Sequence, residues 1–123
     1  MSWSAVSIRL HSKSLSPEML AEIVGLTPEQ RFTRDPAQER DENTAVFGSG
    51  ADSGSSLEDK LDWATSILES LGDAHRFGYE VDVILAAARS SELREFVVRP
   101  SLLRALVAAN AELNVFLEED VDD

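Results

Sequence analysis

An amphipathic stripe of leucine and alanine between residues 57 and 71 is the feature that most constrains the fold. These side chains recur at intervals of three and four residues, which places them on one face of an α-helix. The apolar positions are Leu57, Leu61, Ala64, Leu68 and Leu71. The acidic positions on the opposite face are Glu58, Asp59, Asp62, Glu69 and Asp73. Because such a helix gains most of its stability by burying its apolar face, the rest of the chain must supply a layer for it to pack against.

Four segments with the pattern of β-strands supply that layer. In the two longest, apolar and polar residues alternate, as expected when one face of a strand is buried. Their apolar positions are Val6, Ile8 and Leu10 in the first strand and Tyr79, Val81, Val83 and Leu85 in the second. Residues 44–47 and 113–117 predict two further short strands.

Two shorter helices each begin with a proline. The first is predicted over residues 17–24, with Ser16 as its N-cap and Gly25 as a left-handed C-cap. The second begins at Pro100 and ends near Asn110. Its predicted inward positions are Leu102, Leu103, Leu106 and Val107.

The segments 16–24 and 99–107 match in the phase of their apolar residues, and each follows an alternating strand. This internal similarity favours two strand–helix–strand halves joined through the central helix. We therefore predict an α+β fold, with a four-stranded, mainly antiparallel sheet and three helices on one face. A ferredoxin-like strand order is the expected topology, in which the helix over residues 57–71 is an extra element.

A single domain is expected over residues 1–118. Residues 119–123 form an acidic tail that we expect to be disordered. The polar segment 27–43 and the Gly/Ser-rich segment 48–56 predict loops, the second of them flexible. For residues 96–98 the sequence leaves a short strand and an anchored loop as alternatives.

The net charge of −12 limits the partners that the chain can bind. Residues 57–123 carry −9 of it. Such a field repels nucleic-acid phosphates and anionic lipids, so neither nucleic acid nor a membrane is an expected partner, and a basic protein is favoured. Solubility alone is the alternative explanation of the charge. Since the chain has no cysteine, no long apolar run and no signal-peptide pattern, a cytoplasmic location is expected.

The order of these elements resembles the bacterial family known as domain of unknown function 4279, over about residues 4–118. The matching segments are the turn Val24 to Pro28, the hydrophilic loop and short strand from Gln30 to Ser49, and the closing pair from Pro100 to Leu117. Phe47 stands where the family typically has a tryptophan, and Arg34-Asp35 where a Lys-Gly pair is usual. The family brings no established activity. Some small acidic proteins of this type look like immunity proteins that neutralise toxins, and the resemblance implies such a role here.

No residue pattern points to catalysis. The segment 48–54 lies between a strand and a helix, as phosphate-binding loops do, but it matches no phosphate-binding motif and has no lysine before the helix. His11 and His75 are the only histidines, and neither has an acidic partner at helical spacing. Neither a catalytic base, nor a metal site, nor a cofactor is therefore expected. A small enzyme or ligand-binding domain that uses the cleft beside the Gly/Ser loop is the alternative.

The sheet face opposite the helices is the surface about which the sequence says most. If the apolar strand residues point inward, their neighbours point outward. The predicted partner-binding residues on this face are Arg9, Glu80, Asp82, Ile84, Asn114 and Phe116. An acidic face with two apolar side chains suits a protein partner or a homodimer contact, unless residues 27–56 fold over it. We therefore predict a binding or regulatory module, such as an immunity-type inhibitor of a basic toxin.

Overall fold

A single mixed β-sheet underlies the fold in the computed structural model, which describes residues 4–49, 56–88 and 98–118. The strands within these residues are β1 (Ser4–Ser12), β2 (Gln30–Phe32), β3 (Asn43–Gly48), β4 (Glu80–Ala88) and β5 (Glu112–Glu118). The α-helices are α1 (Pro17–Val24), α2 (Leu57–Leu71) and α3 (Pro100–Ala109), with short 3₁₀ turns at Pro36–Gln38 and His75–Phe77. The α+β class predicted from the sequence is confirmed.

The strands lie in the order β2-β3-β1-β4-β5. β1 is antiparallel to both β3 and β4, β2 is antiparallel to β3, and β4 is parallel to β5. The described sheet therefore has five strands rather than the four predicted, and one pair is parallel. The ferredoxin-like order is also wrong. In that order the first strand lies parallel to the third of four main strands, whereas here β1 is antiparallel to β4.

The two halves inferred from the internal similarity are present in altered form. β1 and β2 are parallel to each other, because both are antiparallel to β3. The units β1-α1-β2 and β4-α3-β5 thus each join parallel strands through a helix, but only β4 and β5 are neighbours in the sheet. The sequence did not predict β2 because all three of its residues are exposed, so no alternation of apolar residues marks it.

The helices pack against one face of the sheet, and the core lies between the two layers. Val6, Ile8 and Leu10 of β1 are fully buried on this face, as predicted. Leu68 of α2 packs into the same cluster and is also fully buried. The other members of the α2 stripe are Leu61, Ala64 and Leu71, which are buried, and Leu57, which is partly buried. The predicted phase of α2 is confirmed.

Local sequence sets the ends of the two shorter helices. Ser16 Oγ accepts a hydrogen bond from the Met19 N–H at 3.2 Å, which satisfies one of the free donors at the start of α1. At its other end Gly25 adopts a φ of 80° and donates to the Ala21 carbonyl oxygen at 2.8 Å. Asn110 takes the same left-handed conformation after α3. The predicted bounds of both helices are confirmed.

The buried face of α3 differs from the prediction. Leu102 and Leu106 are buried as expected, but Leu103 is exposed and Val107 is 81% exposed. Ala105 is buried in their place. Because α3 carries apolar residues on more than one face, periodicity could not decide which face packs inward. Tertiary packing decides it, and α3 packs against α2.

Two polar residues of α2 are buried, which the amphipathic pattern did not predict. Lys60 Nζ donates a hydrogen bond to the Ser4 carbonyl oxygen at 2.8 Å, at the start of β1. Thr65 Oγ1 donates to the Leu61 carbonyl oxygen one turn earlier, at 2.9 Å. Both groups are therefore buried together with a hydrogen-bond acceptor, as a buried donor requires.

Some predicted features lie outside the described residues. They are most of the Gly/Ser loop (50–55), residues 96 and 97 of the segment left open between a strand and a loop, and the acidic tail (119–123). Among the residues that the structure describes, no helix is both long enough and apolar enough to span a membrane.

Tyr79, the only tyrosine of the chain, lies buried just before β4. Its hydroxyl donates a hydrogen bond to the Leu71 carbonyl oxygen at 3.3 Å. Burial raises the pKa of the Tyr79 phenol, and the carboxylate of Asp73 adds to the effect. The folded chain therefore holds this proton to a higher pH than the unfolded chain does.

Stability is expected to fall as the pH rises above about 10, because Tyr79 ionises there in the unfolded chain while the fold keeps it neutral. Tyr79→Phe has no proton to lose and should show a shallower decline over the same range. Urea unfolding of both proteins across alkaline pH measures the difference, and tyrosinate absorbance of the folded wild type locates the ionisation. Identical pH dependence of the two proteins would contradict the assignment.

Candidate functional site

The sheet face opposite the helices, which we call the open face, carries the predicted binding residues. The β1–β4 register pairs Arg9 with Asp82, so that both side chains lie on this face. The β4–β5 register pairs Ile84 with Asn114. Phe116 lies two residues further along β5, on the same face. The outward orientation expected for these residues follows from the observed register.

Five side chains form a charged cluster at one end of the open face: Arg9, His11, Glu42, Glu80 and Asp82. Arg9 binds Asp82 Oδ2 through Nη2 at 2.7 Å and through Nε at 3.3 Å. His11 Nδ1 lies 3.0 Å from Glu42 Oε2 and 3.7 Å from Glu80 Oε2. The cluster thus joins β1 and β4 with the residue that precedes β3.

Asp82 is not the free surface acid that the sequence predicted. It lies on the expected face but is only 8% exposed, because the side chains of Arg9 and His11 cover it. A buried carboxylate needs compensation by charge or hydrogen bonds, and the Arg9 guanidinium supplies both. The charge of Asp82 is therefore satisfied within the protein, whereas Glu80 is an exposed acid at the edge of the cluster.

The second nitrogen of His11 has an unusual environment. Nε2 is buried and lies 3.2 Å from Asp82 Oδ2, yet the two atoms are not aligned for a hydrogen bond. Carboxylates therefore flank the imidazole at both nitrogens. A neutral imidazole has one N–H and can donate from one nitrogen only. A single N–H therefore cannot serve the carboxylates at both nitrogens.

A cavity of about 560 Å³ extends from the charged cluster across β1, β3 and β2. Its lining residues are Ser7, Arg9, His11, Gln30, Phe32, Arg40, Glu42, Thr44, Val46 and Ile84. The Arg40 guanidinium lies 5.1 Å from the centre of the Phe32 ring, which holds the connection between β2 and β3 against the sheet. The described part of the segment 27–56 therefore widens the sheet by adding strands at one edge, and it borders the open face.

The opposite end of the open face is apolar. Phe116 is 53% exposed in β5, and its neighbours Val115 and Leu117 are also exposed on the other side of the strand. Within the described residues β5 pairs only with β4, so no described strand pairs with the backbone groups of its outer edge. An exposed apolar edge of this kind can pair with another chain.

Sequence analysis missed Glu42, Arg40 and Phe32, which belong to the segment expected to be an irregular loop. No local pattern marks them, because their contribution depends on how β2 and β3 bring the connection back to β1. Glu42 is 31 residues from His11 in the chain. The one available signal was the high density of charge in residues 39–42.

Comparison with known proteins does not assign the chain to a class. No family model, curated protein or solved structure matches it. Function is therefore inferred from the open face itself, which combines a charged cluster, a cavity and an apolar edge strand.

Proposed function

We propose that this chain is a protein-binding module that recognises a basic partner through the open face and the β5 edge. The observation that carries the proposal is the half-exposed ring of Phe116 on an edge strand. Aromatic side chains are characteristic anchors at the centre of protein interfaces. The outer edge of β5, which pairs with no other strand among the described residues, offers backbone groups to the same partner. In its most specific form, the proposal is an immunity-type inhibitor of a basic toxin, the role implied by the family resemblance.

Charge supports a basic protein over a second copy of the chain. Residues 57–123 carry −9 of the net −12. Two identical surfaces of this charge repel each other, whereas a basic surface is attracted to them. The exposed acids Glu80 and Glu112 lie on strands β4 and β5, and Phe116 shares β5 with Glu112. An apolar anchor with a charged rim fits this arrangement.

The structure changes the set of residues that we assign to the interface. Glu80 and Phe116 are exposed and available to a partner, while Ile84 and Asn114 are partly exposed beside them. Arg9 and Asp82 bind each other, so in this proposal they shape the face and contribute little charge to the partner. Reversing Asp82 would disrupt the cluster and is unsuitable as a test of partner binding.

Glu80→Lys is expected to slow association with the partner, and to do so more strongly at low salt, because it reverses a charge that steers the encounter. Phe116→Ala should instead speed dissociation, by about tenfold or more if the ring is an anchor. The partner is first isolated by affinity capture from the native organism. Binding kinetics of each variant at two salt concentrations then measure the two effects.

Glu69→Lys is the matched control for charge reversal, since Glu69 is exposed on α2, away from the open face. It should change the association rate less than Glu80→Lys does. A captured protein whose binding is insensitive to both Glu80 and Phe116 would refute the proposed surface. Self-association detected by analytical ultracentrifugation and abolished by Phe116→Ala would identify a second copy as the occupant.

Small-ligand binding is a second candidate, and the cavity favours it. A volume of about 560 Å³ falls in the range of small-molecule sites, and the lining offers donors, acceptors and an aromatic ring. The cavity lies on the open face rather than in a cleft beside the Gly/Ser loop. It approaches that loop at Ser7, which lines the cavity and pairs with Gly48, where the loop begins. Native mass spectrometry of protein from the native organism tests this candidate. A retained metabolite that Thr44→Trp displaces would support it.

A further inference from the structure

We propose that His11, Glu42 and Glu80 bind a divalent transition-metal cation, with Asp82 as the hydrogen-bond partner of the histidine. This site goes beyond partner binding and does not depend on it. The proposal rests on the geometry of four side chains, on the environment of the second imidazole nitrogen and on the balance of charge.

The three ligand atoms have the separations that a metal ion requires. Bonds of about 2.0–2.1 Å in tetrahedral geometry place neighbouring ligand atoms roughly 3.3 Å apart. His11 Nδ1 lies 3.0 Å from Glu42 Oε2 and 3.7 Å from Glu80 Oε2. All three ligand atoms lie within 4.8 Å of one another. Small rotations of the two glutamates would bring them to ideal distances.

The second imidazole nitrogen supplies an independent observation. A histidine that binds a metal through one nitrogen carries a proton on the other, and that N–H is almost always donated to a carboxylate, a carbonyl or water. Nε2 of His11 is buried without an aligned acceptor, and the Asp82 carboxylate lies 3.2 Å away. Arg9 holds that carboxylate in place by donating to the same oxygen, Oδ2, through Nε and Nη2. The Asp82 carboxylate therefore lies within reach of the N–H that a metal-bound His11 would carry at Nε2.

Charge balance favours a divalent ion. Arg9 and Asp82 neutralise each other, which leaves Glu42 and Glu80 beside the imidazole with two negative charges. A divalent cation would balance both charges.

The ligand types select the class of ion. Imidazole nitrogen together with carboxylate oxygen suits zinc and its neighbours in the first transition series, whereas Ca²⁺ and Mg²⁺ favour sites made entirely of oxygen. Three protein ligands leave a coordination position for water, as in open zinc sites. His11 and Glu42 also line the cavity, so the ion would lie at its border.

Isothermal titration of the untagged full-length chain with Zn²⁺, and separately with Mg²⁺, tests the site. The wild type should bind one zinc ion per chain, at least tenfold more tightly than Mg²⁺. Glu80→Gln should weaken zinc binding at least tenfold, and because Glu80 is exposed this variant should fold normally. His11→Ala should remove the site, and Asp82→Asn should weaken it about 10–100-fold.

Two controls separate this site from general attraction of cations to an acidic protein. Glu69→Gln removes one exposed acid from α2, and His75→Ala removes the only other histidine of the chain. Both should bind zinc as the wild type does. The proposal is overturned if zinc does not bind, if Glu80→Gln and Glu69→Gln bind it equally well, or if His75→Ala abolishes binding. Circular dichroism of each variant establishes that loss of binding is not loss of fold.

Discussion

Leu68→Ala is expected to lower the free energy of unfolding by about 2–5 kcal/mol, the range for removal of a buried leucine side chain. Leu68 is fully buried at the centre of the α2 stripe, where the helix packs against the sheet. The truncation loses burial of the removed carbons and leaves a cavity that the surrounding strand residues fill only in part. Urea unfolding measures the loss directly if the slope of the free energy of unfolding against urea concentration is the same for the variant and the wild type.

Asp62→Ala is the control for that measurement, since Asp62 is exposed on the opposite side of the same helix. The nearest guanidinium nitrogen of Arg99 is 3.8 Å away on the surface, where an ion pair contributes little. The change should alter stability by less than about 0.5 kcal/mol. A larger loss from Asp62→Ala than from Leu68→Ala would mean that the buried face of α2 has been misassigned.

Asp82→Ala is expected to cost about 1–3 kcal/mol, because it leaves the Arg9 guanidinium without its carboxylate in a partly buried position. Glu80→Ala, on the same strand but 62% exposed at its side chain, should cost less than about 0.5 kcal/mol. Denaturant unfolding of both variants gives the comparison. Had Asp82 been the free surface acid expected from the sequence, the two changes would have the same small effect.

A double-mutant cycle with Arg9→Ala tests whether the loss comes from the Arg9–Asp82 pair. Once Arg9 is absent, Asp82→Ala should cost less, with a coupling energy of about 0.5–3 kcal/mol. Strictly additive effects would show that Asp82 acts through other contacts, of which His11 is the nearest. The measurement also bears on the metal proposal, in which Asp82 accepts a hydrogen bond from His11.

The sequence alone determined the helices and the inward faces of the long strands. Ser16 and Gly25 fix the two ends of α1 through hydrogen bonds to residues three or four positions away, and Pro17 has the fixed φ of a first helical residue. The α2 stripe and the alternation of β1 fix which side chains are buried, because the period of each backbone is local. Where the local pattern is ambiguous, as in α3 with apolar residues around its surface, the prediction of the buried face failed in part.

Only the tertiary structure decided how the strands pair and what they bring together. Strand order and direction depend on contacts between distant segments, which no local period encodes, so the fifth strand and the parallel β4–β5 pair were not predicted.

The charged cluster has the same origin. Arg9 and Asp82 are 73 residues apart, and they meet because the β1–β4 register places them directly opposite each other. Glu42 joins His11 because the connection between β2 and β3 returns along β1. The sequence determined which residues lie on this face, and the pairing of strands decided which of those charges satisfy one another and which remain available to a partner.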